Sequence, residues 1–168
     1  MARVVGPSIH SHQQESNMSE INTTQAAKLI AGKKLSPHEQ GGRKRILASK
    51  MPDTYAQLEI SDTVFIGRVP VGSRFTLNSM VGCSAGRASA VFDIGIRSST
   101  TGVVIAADGI ASGVNVAAAG GKPANTGTLI VDGAEYITEE TVDVFATVRG
   151  APIPANQAIK FEVEYVTD

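Results

Sequence analysis

From about Ile60 onward the apolar positions recur with a period of two, and turn residues interrupt them at short intervals, which is the pattern of half-buried strands. Val64–Val69 runs into Pro70-Val-Gly-Ser, after which Arg74–Val81 alternates Phe75, Leu77, Ser79 and Val81 against Arg74, Thr76, Asn78 and Met80. This predicts a strand, a turn and a strand. Residues 90–97 place Phe92, Ile94 and Ile96 on one face and Val91, Asp93, Gly95 and Arg97 on the other. Gly95 inside such a run marks a bulge or a close backbone approach. Val103–Ala107, Val114–Ala118 and Thr128–Val131 read as short strands set apart by Asp108-Gly109, Gly120-Gly121 and Asp132-Gly133. Asp-Gly is a strong tight-turn signal. Thr141–Val148 alternates again, and the terminal run sets Ile159, Phe161, Val163 and Tyr165 against Lys160, Glu162 and Glu164. About eight short strands without a helical pattern between them predict one antiparallel β-sandwich, jelly-roll-like, whose strand order the sequence does not give.

The chain before the strands reads differently. Thr23-Thr24, Gln25–Ala31 and Gly32 predict a short helix with a hydroxyl N-cap and a glycine stop. Ser36-Pro37-His38-Glu39 has the form of a capping box, but Gly41-Gly42 interrupts any helix there and leaves a turn in a linker. Arg43–Lys50, RKRILASK, is a basic stretch with Ile46 and Leu47 at its centre, suited to lying along another surface. Charge separates the two parts: residues 1–50 hold eight Lys or Arg against three Glu, a net +5, and residues 51–168 hold seven against thirteen, a net −6. The division expected is a basic N-terminal arm over 1–50, with at most short helices, and a β-sandwich body over 51–168. A basic arm on an acidic body is the footprint of an arm that meets an acidic partner, and equally of a solvated tail.

Composition narrows the class. With 168 residues, 42% of them hydrophobic, the chain can build a core without staples, and its single cysteine, Cys83, makes no internal disulfide. Three Tyr, five Phe and no Trp imply a core of Val, Ile, Ala and Leu and weaken sugar binding by stacking. No apolar run approaches a membrane span, residues 1–17 lack the apolar stretch of a signal peptide, and Met18 is a second possible start.

Candidate chemistry is sparse. All three histidines, His10, His12 and His38, precede the body, so neither Cys83 nor a serine has a body histidine as its base. Glu139, Glu140, Asp143, Glu162 and Glu164 read as a charged outer face rather than a glycosidase pair. Gly120-Gly121-Lys122 fails as a phosphate loop because Pro123 follows the lysine and Ala117 stands where a glycine belongs. His10 and His12 are too few for a metal site. Asn22-Thr23-Thr24 matches the glycosylation pattern, which matters only in a secretory context. Lys33-Lys34 and Arg43-Lys44-Arg45 could neutralise phosphates, but no aromatic interleaves them, so protein is preferred over nucleic acid as the partner. No catalytic residue, cofactor or metal is expected, and the chain is not read as an enzyme.

Asp62–Leu77, then Phe92-Asp-Ile-Gly-Ile-Arg, and the closing Phe-Glu-Val-Glu-Tyr-Val strand make residues 43–168 resemble small virion structural proteins of tailed bacteriophages. The resemblance implies a head decoration or cement protein, made in the host cytoplasm, that sits on the capsid exterior between major capsid subunits, often as a trimer. It carries over no catalytic residue and does not reach the residues before 43. The physical reading of the arm assigns capsid contact to Lys33, Lys34, Arg43, Lys44, Arg45, Ile46 and Leu47. The alternatives are a head-fibre or tail component, or a receptor- or glycan-binding sandwich with a groove holding Tyr55, Tyr136 or Tyr165 beside carboxylates.

Overall fold

The structure, a computed structural model, describes residues 23–34, 42–131 and 136–167. The chain divides into two compact units, Met1–Leu35 and Ser36–Asp168. In the first, α1 (Thr24–Ile30) forms as its sequence predicts. The Thr23 hydroxyl accepts a hydrogen bond from the Ala26 N–H at 3.3 Å. Gly32 takes φ +68 at the other end, where the Gly32 and Lys33 N–H groups donate to the Leu29 and Lys28 carbonyls. This is a Schellman stop, and glycine supplies the left-handed residue it needs. His10, His12, Met18, the Ser36–Glu39 turn and Asp132-Gly133 lie outside the described residues.

In the second unit the strands are β1 (Arg43–Lys50), β2 (Thr63–Val69), β3 (Arg74–Phe75), β4 (Met80–Cys83), β5 (Val91–Ser98), β6 (Val104–Asn115), β7 (Gly120–Pro123), β8 (Val142–Arg149) and β9 (Ile159–Thr167). One sheet runs β1-β9-β4-β7 with β3 also beside β9, and the other runs β2-β8-β5-β6. All pairings are antiparallel, and they nest: β1 with β9, β2 with β8, β4 with β7, β5 with β6. The body is therefore an antiparallel β-sandwich of two sheets. Its core lies between the inner faces, with Phe92, Ile94 and Ile96 of β5 and Val142, Val144, Ala146 and Val148 of β8 from one sheet and Ile159, Phe161, Val163 and Tyr165 of β9 from the other. Phe92 and Phe161 meet edge to face across this core, with ring centroids 5.6 Å apart.

Several local expectations change, among them Gly120-Gly121, which does not separate strands but opens β7. Arg43–Lys50 is not the end of an arm: all eight of its residues pair with β9, from Arg43 opposite Thr167 to Lys50 opposite Lys160. The packing boundary thus falls before residue 43 and not at 50/51. The charge pattern hid a strand whose alternation turns Leu47 inward, where its methyls lie against Gly67 of β2.

Arg74–Val81 is not one strand. The Thr76 N–H still donates to the Glu164 carbonyl at 3.1 Å, but the chain then turns off. The Thr76 hydroxyl and the Asn78 amide donate to the Glu164 carboxylate, and the Asn125 amide donates to the Leu77 carbonyl at 2.6 Å. Leu77, which alternation would bury, is 62% exposed.

Asp108-Gly109 is not a hairpin turn but a bulge within the twelve-residue β6. Ile94 pairs with Ala111 and Ile96 with Ala106, so β6 carries extra residues opposite Gly95. A side chain at Gly95 would overlap the Ala106 and Ala107 carbonyls.

Thr128–Val131 is one helical turn, α2, rather than a strand. The Gly127 backbone packs directly on Gly109 and its N–H donates to the Ile110 carbonyl at 3.0 Å, and Ile130 then enters the core.

Candidate interaction surface

Several carboxylates on the body are held by structural partners. Asp143 of β8 lies on the outer face of its sheet yet is buried, with its Oδ1 accepting from Arg68 Nε at 2.7 Å and Arg97 Nε 4.0 Å from Oδ2. The same Arg97 guanidinium lies 5.3 Å over the Phe145 ring, so an arginine lid explains why β8 is covered on both faces. Asp93 bonds Arg149 and the Gly113 N–H, and Glu140 accepts from the Ser98 hydroxyl at 2.6 Å. Cys83 is half-buried at the end of β4, its thiol pushed up by burial and directed at the Ala118 carbonyl. Among the described residues no group of three or more His, Cys, Asp or Glu is placed to hold a metal ion, and no helix is long and apolar enough to cross a membrane.

The three tyrosines do not share a groove. Tyr165 is buried on the inner face of β9, the Tyr55 hydroxyl donates to the Gln157 carbonyl at 2.7 Å, and Tyr136 stands near Glu139 and Glu140. Burial first, and then those two carboxylates, raise the Tyr136 hydroxyl above the usual phenol range.

The cationic residues form two strips. Lys33 and Lys34 are exposed just past α1, whose Leu29 and Ile30 are exposed apolar side chains. On the body, Arg43, Lys44 and Arg45 are exposed along β1, and Ile46 is 57% exposed beside them, opposite Glu164. Leu47 does not belong to this surface, because it is packed inward. Lys44 and Glu164, 3.2 Å apart, border an open cleft of about 390 Å³ that Leu77, Phe75, Ile130 and Val166 also line. The cleft is missed by pattern reading because it depends on the turn that expels Leu77. The only sequence signal for it is the pair Thr76 and Asn78, polar residues with short side chains that favour turns.

Glu164 fixes that turn. Its carboxylate accepts from Asn78 and Thr76, bonds that with Lys44 hold it below the usual carboxylate range against a smaller opposing effect of burial. A carboxylate held low in the folded state stabilises above its unfolded pKa, and that contribution is lost as pH falls through the folded value. Glu164→Gln is therefore expected to lower stability at neutral pH and to flatten the fall in stability below about pH 4.5, as read by urea midpoints along a pH series. Parallel pH curves for the two proteins would show that the contacts carry no charge-dependent stability.

No protein-family model matches the chain, and no curated protein sequence matches it. Two solved phage structures contain chains of similar fold. One, from the capsid of Ralstonia phage GP4, superposes with a TM-score of 0.60 at 13% identity over 80% of this chain and 92% of that chain. The other, from the capsid asymmetric unit of cyanophage Pam1, gives 0.51 at 18% identity over 90% of this chain and 100% of that one. At these identities the likeness is one of fold.

Proposed function

We propose that this chain is a structural protein of a tailed-phage virion, of the head decoration or cement type, that binds the capsid exterior between major capsid subunits and stabilises the shell. The carrying observation is that the fold matches nearly the whole length of chains from two phage capsid structures, with 92% and 100% of those chains covered. The lack of a body histidine and the structural pairing of Asp93, Asp143 and Glu164 favour a role without catalysis. The contact residues in this reading are Lys33 and Lys34 with the exposed Leu29 and Ile30, and Arg43, Lys44, Arg45 and Ile46 on β1. Each cation contributes little alone at a wet surface. Two strips engaged together, in many copies on one shell, add through multivalency.

The test is sedimentation with intact undecorated shells, counting bound copies. Deleting residues 1–50 would strip β1 from the sheet, so charge reversal replaces truncation: Lys33→Glu with Lys34→Glu, and Arg43→Glu with Arg45→Glu. Expected is a count comparable to the capsid subunits or their trimers, and a salt-sensitive affinity that falls on the order of tenfold in each double variant. A dozen copies or fewer would move the protein to a vertex, head fibre or tail, and absence of binding would overturn the reading.

A further inference from the structure

We propose that the outer face of β2, β8 and β5 is a second interaction surface, which receives an acidic protein segment offering a carboxylate next to an apolar side chain. Two rows of cross-strand neighbours build it. Phe65 of β2, Phe145 of β8 and Gly95 of β5 stand side by side, and so, two positions away along β8, do Arg68, Asp143 and Arg97. Residues two apart on a strand share a face, so both rows look outward. Phe145 is roofed by the Arg97 guanidinium, whereas Phe65 is 55% exposed.

The second row is one carboxylate short. A guanidinium flanks each oxygen of Asp143: Arg68 Nε donates to Oδ1 at 2.7 Å, and Arg97 Nε stops 4.0 Å from Oδ2. Two positive charges against one negative leave the row at +1, on a body whose thirteen acidic and seven basic residues give −6. The Arg97 guanidinium makes no hydrogen bond to any of the described residues, since its neighbours are the Phe145 ring and a carboxylate beyond bonding distance. The Arg97 side chain is 30% exposed and that of Arg68 57%, so both forks are open to solvent. A guanidinium presents its N–H donors in a planar fork that fits a carboxylate. Seated on Phe145, the Arg97 fork is already ordered, which lowers the cost of binding.

The occupant follows from that shortfall. An incoming carboxylate evens the row at two against two and accepts from the donors that Asp143 leaves unused. An apolar neighbour on the same segment covers Phe65. Arginine beside an exposed aromatic ring is also the composition of binding hot spots between proteins. A nucleic-acid strand suits the face less well, because Asp143, and Asp93 bonded to Arg149, interrupt the arginines and repel a backbone charged at every nucleotide. The surface uses none of the residues assigned above to shell contact, so its failure would leave the capsid reading untouched.

Side-chain NMR of the full-length protein tests it, with acetyl-Leu-Asp-Leu-amide as the probe and acetyl-Leu-Asn-Leu-amide as its neutral match. Expected are shifts of the Arg68 and Arg97 Nε–H signals and of the Phe65 ring, with an affinity for the Asp peptide at least about fivefold above that for the Asn peptide. Arg68→Gln should lower that affinity at least about fivefold, and Phe65→Ser, which leaves the ion row intact, at least about threefold. Arg87→Gln, in the loop before β5, should leave it unchanged. Equal affinity for the two peptides, or an affinity that neither Arg68→Gln nor Phe65→Ser lowers, would overturn the proposal. So would a thymidine dinucleotide that shifts the same signals at lower concentration than the Asp peptide, which would give the face to nucleic acid.

Discussion

Replacing Phe161 by alanine is expected to lower the stability of the body by about 3–5 kcal/mol, read as a shift in urea midpoint at constant slope. Phe161 of β9 is 1% exposed and Phe92 of β5 is fully buried, and the two rings meet at 63° with their centroids 5.6 Å apart. They are the largest fully buried side chains and come from opposite sheets. Trp is absent and the rest of the core is mainly Val, Ile and Ala, with Phe75 and Tyr165 already packed in it, so the space left is lined largely by short aliphatic side chains. A domain of this size has about 5–15 kcal/mol in total, so the loss takes a large part of it. The double variant Phe92→Ala/Phe161→Ala should cost less than the two singles together, by about 0.5–1.5 kcal/mol for the ring pair. Strict additivity would mean that the rings touch without helping each other.

The second large effect belongs to Gly95. This residue sits mid-strand in β5, with Phe145 of β8 opposite on one side and the β6 bulge on the other. A methyl group there would overlap the backbone carbonyls of Ala106 and Ala107, which cannot rotate aside. Gly95→Val is expected to cost at least about 3 kcal/mol, and Gly95→Ala most of that, since either must lift the bulge. Gly67 provides the control, because a methyl there would lie 3.1 Å from a Leu47 methyl, at the end of a side chain that can shift. Gly67→Ala should therefore cost less than about 1 kcal/mol in the same urea titration. If both alanine variants unfold at the same midpoint, the bulge is not seated on the strand as described.

What could be read from the chain beforehand follows from what a period of two encodes. β5, β8 and β9 were legible because each presents one regular apolar face, β2 because it is an apolar run ending at a Pro-x-Gly turn, and Gly95 because glycine interrupts such a face for a reason. The splitting of Arg74–Val81 was not, since the turn after Thr76 is held by Thr76 and Asn78 side-chain bonds to Glu164, 88 and 86 positions later. The bulge at Asp108-Gly109 and the helical turn of α2 hide for a related reason. Both exist because Gly127 and Gly109 approach each other closely, and an Asp-Gly pair looks the same whether it turns a hairpin or swells a strand. At the surface, Lys33, Lys34 and Arg43–Arg45 were visible as charge. Local pattern left open that β1 belongs to the sheet, that Leu47 points inward and that Leu77 points outward, because each depends on a distant strand.

The nested pairing has a consequence for synthesis. Among the described residues β1 finds its strand partner in β9 and β2 finds its partner in β8, both far along the chain. The growing chain therefore exposes Arg43–Lys50 and Thr63–Val69 without their neighbours until β8 and β9 have been made. Such distant pairings fold slowly, and the sandwich cannot be completed from its N-terminal end as it emerges from the ribosome. A cationic first strand suits that wait, since like charges keep nascent copies on one message from joining their loose edges before β9 arrives.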